Sequence, residues 1–135
     1  MTQTLHEILT EAIEDEYKAR ATYRRVLEKF GDVRPFSNIV EAEQRHIDAL
    51  LLLFENYGLR VPEDHWPERV ATPDTLLAAC QAGVAAEIDN AAMYDRLLAA
   101  SSDYPDVQRV LRNLQRASSE NHLPAFQRCV ERESH

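Results

Sequence analysis

The chain has 135 residues, of which 44% are hydrophobic and 28% are charged, a composition that can bury one core without disulfide or metal staples. Its 23 acidic residues outnumber its 15 basic residues and give a net charge of −8, which makes nucleic acid and anionic lipid unfavourable partners. The sequence therefore predicts a single domain over residues 1–135 that binds no nucleic acid and no membrane, with cations as the favoured partners.

The first two predicted helices form a hairpin. The first helix is predicted from about Thr4 to Phe30 and ends at Gly31, a favourable residue just beyond a helix C-terminus. The second helix follows Pro35 and runs to Tyr57. Because the link between them is short, the two helices are expected to be antiparallel neighbours.

The third and fourth predicted helices form a second hairpin. The third is predicted to begin at Thr72-Pro73-Asp74, which offers an N-cap, a proline in the first turn and an acid near the positive end of the helix dipole. It continues to about Ala100, and after a short link the fourth helix runs from near Pro105 almost to the last residue. No segment alternates in the way that strands do, so the sequence predicts an all-α fold.

The middle connection, from about Gly58 to Thr72, is much longer than the other two. Fully extended it would reach roughly 50 Å, whereas a helix of about 25 residues is roughly 37 Å long. It can therefore cross the whole molecule and leave the second and third helices parallel. The pattern favours two antiparallel hairpins joined by a long crossover loop, and a simple up-and-down bundle with an unattached middle loop is the alternative.

Two residues of the second helix, Glu43 and His46, interrupt its apolar face. They form a Glu-x-x-His motif, in which the two side chains share one face of the helix about one turn apart. Burying an unpaired carboxylate is very costly, and a metal ion would compensate for that cost. The alternative is a buried hydrogen bond between the histidine and the glutamate.

The first and third helices carry a repeated pattern of a glutamate and a tyrosine seven residues apart. Glu16 precedes Tyr23, and Glu87 precedes Tyr94, so each pair lies on one helix face. Both glutamates are predicted to point inward, and a surface ion pair with Arg20 is the alternative for Glu16. The tyrosines would hydrogen-bond to metal ligands or relay electrons, or else pack in the core with a satisfied hydroxyl.

A histidine on the fourth helix completes the candidate site. His122 has the same place in the second hairpin that His46 has in the first. Oxygen and nitrogen donors of this kind suit iron, manganese or zinc. The predicted metal-binding residues are Glu16, Glu43, His46, Glu87 and His122.

This arrangement resembles the ferritin-like superfamily, and in particular its small rubrerythrin-type and uncharacterised bacterial and archaeal members. The resemblance covers essentially the whole chain and implies a four-helix bundle with two iron or manganese ions, held by four glutamates and two histidines. By position, Glu16 and Glu87 resemble the terminal carboxylates, and Glu43 resembles a bridging carboxylate. His46 and His122 resemble the nitrogen ligands.

One ligand of the family pattern is missing. A second Glu-x-x-His motif should end at His122, but the residue three positions earlier is Ser119. Glu120 lies about 100° away around an ideal helix. A π-bulge near Pro124 would bring Glu120 or Asn121 inward, and otherwise the second metal position is weakened, filled by water or empty.

The resemblance implies a di-iron oxidoreductase or a peroxide-handling protein that acts on O₂ or peroxide. No rubredoxin-like CxxC module is present, so electrons would come from an external donor. A homodimer is expected by analogy. The alternatives are a metal-binding bundle without turnover, holding zinc, manganese or iron, and a metal-free helical interaction module with a buried hydrogen-bond network.

The cysteines and the N-terminal residues bear on the cellular compartment. Cys80 and Cys129 are predicted to lie at one level of neighbouring helices, as a reduced pair in a cytosolic protein or, alternatively, as a disulfide or peroxide-responsive pair. Residues 1–9 lack the pattern of a signal segment, and the apolar run 49–54 is too short to span a bilayer. These features predict a cytoplasmic protein, although a signal peptide removed earlier would leave no trace.

Overall fold

The computed structural model describes residues 3–135, and this part of the chain is all-helical, with four long helices and no strand. The fourth helix consists of two α segments separated by one π-helical turn, Ser118–His122. None of the described helices is both long enough and apolar enough to cross a membrane. The α segments are α1 (Leu5–Phe30), α2 (Phe36–Asn56), α3 (Leu76–Ala100), α4 (Pro105–Ala117) and α5 (Leu123–Glu133).

The start of α1 agrees with the prediction, whereas the start of α3 does not. The Thr4 hydroxyl accepts a hydrogen bond from the Glu7 amide (3.1 Å), and the Glu7 carboxylate accepts one from the Thr4 amide (2.9 Å), which completes a capping box. The predicted cap of α3 at Thr72 is wrong. The hydroxyl that reaches a free amide belongs to Thr75, which accepts from Ala78 at 3.0 Å, so α3 begins after it.

The helices α1 and α2 are neighbours that run in opposite directions. Glu16 meets His46, and further along α1 the Arg20 guanidinium donates to the Gln44 side chain at 2.7 Å. Later residues of α1 thus meet earlier residues of α2. Between them, Gly31 has φ +85, a backbone conformation that glycine adopts without strain.

The helices α3 and α4 also run in opposite directions. The Gln108 side chain donates to the carbonyl of Leu98 (2.9 Å), and the Gln115 side chain donates to the carbonyl of Ala91 (2.9 Å). Each of the two short links, between 30 and 36 and between 100 and 105, therefore joins two neighbouring antiparallel helices, in agreement with the prediction.

The segment between α2 and α3 lies against α1. The carbonyl of Arg60 contacts the His6 ring (2.9 Å) near the start of α1, and Lys29 near its end donates to the carbonyl of Pro73 (3.0 Å). Between these points Trp66, in a short 3₁₀ turn, packs against the core. The segment is thus attached to α1 near both ends of that helix.

The apolar core is divided into two clusters, and buried polar residues lie between them along every helix. The first cluster includes Ile13 of α1 and Leu50 of α2, and the second includes Val26 of α1 and Ile39 of α2. The buried polar side chains between the clusters are Glu16, Glu43, His46, Glu87, Asn90, Ser118 and His122.

A disulfide joins α3 to α5 within the second cluster. Cys80 and Cys129 are both fully buried, and their Cα atoms are 5.8 Å apart. The predicted adjacency of the two cysteines is confirmed. Of the two states that the sequence allowed, the structure has the disulfide rather than the reduced pair.

Close approach of α3 and α5 depends on Gly83. A Cβ atom at this position would lie 2.6 Å from Cδ1 of Phe126, whose ring is fully buried. We expect Gly83→Ala to lower the free energy of unfolding by about 1–2 kcal/mol, because an overpacking cost of about 1–3 kcal/mol outweighs the gain of about 1 kcal/mol in helix propensity. Urea unfolding of the metal-free protein measures the change.

The control is the same substitution in a Phe126→Leu background. There the added methyl group has room, so Gly83→Ala should cost less or become favourable. An equal cost in both backgrounds would mean that Phe126 does not account for the effect.

Candidate metal centre

The five residues predicted to bind metal lie together in the interior. Glu16, Glu43 and Glu87 are only 1–2% exposed, and His46 and His122 are 8% and 5% exposed. They come from four different elements, namely α1, α2, α3 and the π-helical turn. The folding of the whole chain is therefore needed to assemble the cluster.

The cluster consists of two groups of three residues that share Glu43. In each group, one potential ligand atom from every residue lies within 4.8 Å of the others. The His46 Nδ1 atom is 3.3 Å from Glu16 Oε2 and 3.6 Å from Glu43 Oε2. The His122 Nδ1 atom is 2.7 Å from Glu87 Oε1 and 3.4 Å from Glu43 Oε1. The two oxygens of Glu43 thus face different histidines.

The donor set suits a metal ion. Three carboxylates and two imidazoles offer the oxygen and nitrogen atoms that first-row transition metals prefer. Among the described residues, the buried Oε2 atom of Glu43 has no hydrogen-bond partner. Leaving a buried acceptor without a partner is costly, and a bound cation would remove that cost. These groups could bind a metal ion.

Charge within the cluster holds protons on both imidazoles when no metal is bound. Burial alone would lower the pKa of His46, but the hydrogen bond with Glu16 and the nearby carboxylate of Glu43 outweigh burial and raise it to about 10. Burial likewise opposes protonation of His122, but hydrogen bonds with Glu43 and Glu87 raise its pKa to about 9. Both side chains are therefore cationic near neutral pH in the metal-free protein.

The three carboxyl groups titrate differently because their surroundings differ. Burial, together with the charge of Glu43, raises the pKa of Glu16 to about 7. Burial also raises the pKa of Glu87, against the opposing hydrogen bond with His122. For Glu43, burial is outweighed by its close polar contacts with Glu16, His122 and His46, so its pKa is lowered. The shared carboxylate is thus the one held most firmly in its charged form.

The two tyrosines singled out in the sequence have different roles in the structure. The Tyr94 hydroxyl donates to Glu16 Oε1 at 2.7 Å, across the boundary between α3 and α1. Its partner is thus the glutamate of the other hairpin and not Glu87, seven residues earlier. Tyr23 is also buried, but its hydroxyl has no partner among the described residues.

A polar network beside Glu16 was not predicted. Asn90 donates to Asp15 Oδ2 (2.6 Å) and more weakly to Glu16 Oε1 (3.4 Å), and the Ser118 hydroxyl donates to Asn90 Oδ1. Asn90 lies three residues after Glu87 and so shares its helix face, a signal that was present in the sequence. The contact to Ser118 joins two helices and could not be read from spacing alone.

The two serines of the π-helical turn differ in which way they face. Ser118 is 2% exposed, whereas Ser119 is exposed and donates to the carbonyl of Gln115 at 3.0 Å. The expectation that Ser119 stands at the missing ligand position is therefore wrong by one residue. The two inward positions, 118 and 122, are thus four residues apart. A turn of this type was foreseen, but Glu120 and Asn121 remain exposed.

The comparisons with known proteins give one family and one solved structure. The family described as "Uncharacterized protein domain (DUF2202)" matches residues 6–135. The structure is similar to the crystal structure of hypothetical protein MJ0754 from Methanococcus jannaschii DSM 2661, with 26% sequence identity and a TM-score of 0.86. That alignment covers 99% of this chain and 83% of the archaeal chain. No curated protein matches the chain significantly.

Proposed function

This chain belongs to the DUF2202 family, and we propose that its function is to bind two divalent metal ions that share the carboxylate of Glu43. The observation that carries the proposal is that the two oxygens of Glu43 face different histidines, each with its own second glutamate. Glu16 and His46 would complete one metal position, and Glu87 and His122 would complete the other.

We further infer that the molecule is one ferritin-like four-helix bundle made of two antiparallel hairpins and a long crossover loop. The opposite directions within each helix pair support this inference. So do the hydrogen bonds that attach the segment between α2 and α3 to α1 near both of its ends, from His6 to Lys29. A connection that crosses from one end of a bundle to the other requires contacts of this kind.

Residues outside the ligand set would hold Glu16 in place. Its Oε1 atom accepts the hydrogen bond from Tyr94 at 2.7 Å and the longer one from Asn90, which leaves Oε2 directed at His46. Hydrogen bonds to a ligating carboxylate fix its orientation and commonly affect metal affinity by 10–100-fold. Tyr94 and Asn90 would therefore act on the first metal position.

Iron is the metal that we propose for the site, with manganese and zinc as alternatives. Iron would supply redox chemistry toward O₂ or peroxide, with electrons from an external donor. The three carboxylates of the cluster are one fewer than the resemblance implies, because Ser118 stands at the inward place on the fourth helix. The same feature favours the second candidate function, a metal-binding bundle without turnover.

Metal counting tests the proposal directly. We expect the protein, purified without chelator or loaded with Fe(II), to hold two ions per chain, and peroxide should then produce the visible absorption of an oxo-bridged iron pair. Two ions that give no such absorption would favour the binding function over the redox function. No bound metal, together with unchanged thermal stability in the presence of Fe(II), Mn(II) and Zn(II), would contradict the proposal.

Metal binding is expected to release protons, because each imidazole must be neutral to act as a ligand. With His46 and His122 titrating at about 10 and about 9 in the metal-free protein, about two protons per chain should leave at pH 7.5 when both positions fill with Zn(II). Apparent affinity should rise with pH and level off above pH 10. Calorimetric titrations in buffers of different ionisation enthalpy measure the number released.

The same shifts in the histidine pKa values determine how the stability of the protein changes with pH. Raised histidine pKa values stabilise the metal-free fold fully below pH 6.5, and this contribution disappears as the pH rises through 9–10. The difference in stability between the zinc-loaded and the metal-free protein should therefore grow with pH over this range. Proton release near zero at pH 7.5 would mean that the imidazoles do not bind the metal.

A further inference from the structure

A groove of about 450 Å³ lies between α2 and the fourth helix and is bordered by the rings of both His46 and His122. These rings are nearly parallel, with an interplanar angle of 18° and centroids 5.5 Å apart. Volumes of this size are typical of sites for small molecules. The groove is thus an open cleft lined by the two imidazoles.

The two imidazoles each have one nitrogen without a protein partner. The Nδ1 atoms face the carboxylates, but among residues 3–135 neither Nε2 atom forms a hydrogen bond. A histidine that binds metal through one nitrogen almost always donates its other N–H group to a carboxylate, a carbonyl or water. Here the side chains that line the groove include no carboxylate to accept from His46 or His122.

The groove also contains an unpaired positive charge. Arg45 lines it, and in the described part of the chain no carboxylate lies within salt-bridge distance of this guanidinium. Its guanidinium is therefore free to pair with a bound anion. Asn38 and Asn121 add two side-chain amides, and Asn121 belongs to the π-helical turn. The charged group of the groove is thus a donor, and its two amides can either donate or accept.

The rest of the wall is apolar and made of small residues. Ala42, Ala117 and Ala125 leave the space open, and Ile39 closes one side. Such a wall favours a short hydrocarbon group, whereas a bare inorganic anion would gain nothing from it. A groove that combines polar donors with small apolar side chains points to an anion with a small apolar part.

We propose that this groove binds a small organic monocarboxylate, which accepts hydrogen bonds from the Nε2–H groups of His46 and His122 and pairs with Arg45. The proposal rests on the proposed function in one respect, since a metal ion on each Nδ1 atom keeps the proton on Nε2. The bound carboxylate would supply both metal ligands with the acceptor that the chain itself does not provide. A metabolite of this class would then change the properties of the metal site without coordinating the ions.

The test uses the zinc-loaded protein, so that no redox turnover occurs, and butyrate as the probe. We expect saturable binding of butyrate with a Kd on the order of 1 mM, followed by calorimetry and by shifts in the histidine ring signals in NMR. Butyramide, which has the same shape without the charge, and inorganic phosphate should bind at least about tenfold more weakly.

Three variants separate the groove from other sites. Arg45→Gln should weaken butyrate binding at least about tenfold, and Ala125→Leu should abolish it by filling the groove. Arg109→Gln is the matched control, because Arg109 is an exposed arginine of α4 that does not line the groove. All three variants should retain two zinc ions.

Several outcomes would overturn the inference. Butyramide or phosphate binding as tightly as butyrate would contradict a carboxylate site. Butyrate binding that neither Arg45→Gln nor Ala125→Leu changes would mean that the carboxylate coordinates the metal itself. Two zinc ions with no butyrate binding would reject the groove proposal alone, whereas a protein that binds none of Zn(II), Fe(II) and Mn(II) would reject the proposed function.

Discussion

Glu43→Gln is expected to abolish binding at both proposed metal positions together. Glutamine keeps the shape of the side chain but removes the charge, and only one of its two terminal atoms can donate a lone pair to a cation. Loss of a hydrogen-bond partner outside the ligand set commonly costs 10–100-fold in metal affinity, so loss of a shared ligand should exceed about 100-fold for each ion. Competition with a chromophoric zinc chelator measures both affinities.

The matched control for this substitution is Glu41→Gln. Glu41 is an exposed glutamate of the same helix, two residues away, and it contributes to neither group of potential ligands. The Glu41→Gln protein should bind two ions, as the natural chain does. Glu16→Gln provides the second comparison, since it should weaken one position much more than the other. A Glu43→Gln protein that still holds one ion tightly would show that the carboxylate is not shared.

Ser118→Glu is expected to strengthen binding at the second metal position, by at least about tenfold. Ser118 is the residue of the π-helical turn that faces the cluster, and a glutamate there would supply a fourth carboxylate. The same change should destabilise the metal-free protein by about 3 kcal/mol, because the new carboxylate is buried without a partner. Metal removal should therefore lower the melting temperature of this variant more than that of the natural chain.

Two further variants test whether the effect of Ser118→Glu comes from the charge, the size or the position of the new side chain. Ser118→Gln introduces the same bulk without charge and should not strengthen binding. Ser119→Glu places the carboxylate one residue later, on a side chain that is exposed, and should leave the affinity unchanged within about twofold. If Ser119→Glu strengthened binding and Ser118→Glu did not, position 119 and not position 118 would face the cluster.

The positions of the helices could be predicted because their signals are local. An apolar period that ends at Gly31 depends only on neighbouring residues, and α1 ends at Phe30 as expected. The start of α3 depends on which of two nearby threonines reaches a free amide, and Thr75 does so instead of Thr72. Local sequence offers both caps equally, so only the folded backbone distinguishes them.

The convergence of the five candidate residues could be predicted because each interrupts an apolar helix face. Helical periodicity specifies which face of its helix each residue occupies and how far along the helix it lies, and these two properties bring the residues together. The contacts across helices are different, since the partner of Tyr94 is Glu16 of α1 and Asn90 reaches both Asp15 and Ser118. Such contacts depend on which helices are adjacent and how far each is rotated, and no single helix carries that information.

The disulfide between Cys80 and Cys129 has a topological consequence for the site. It closes a covalent ring over a sequence separation of 49 residues, and Glu87, Ser118 and His122 all lie inside that ring. Closing a ring of this size reduces the entropy of the unfolded chain by an amount worth about 4 kcal/mol. The oxidised chain therefore keeps two of the five candidate metal-binding residues, Glu87 and His122, within one covalent ring even when it unfolds.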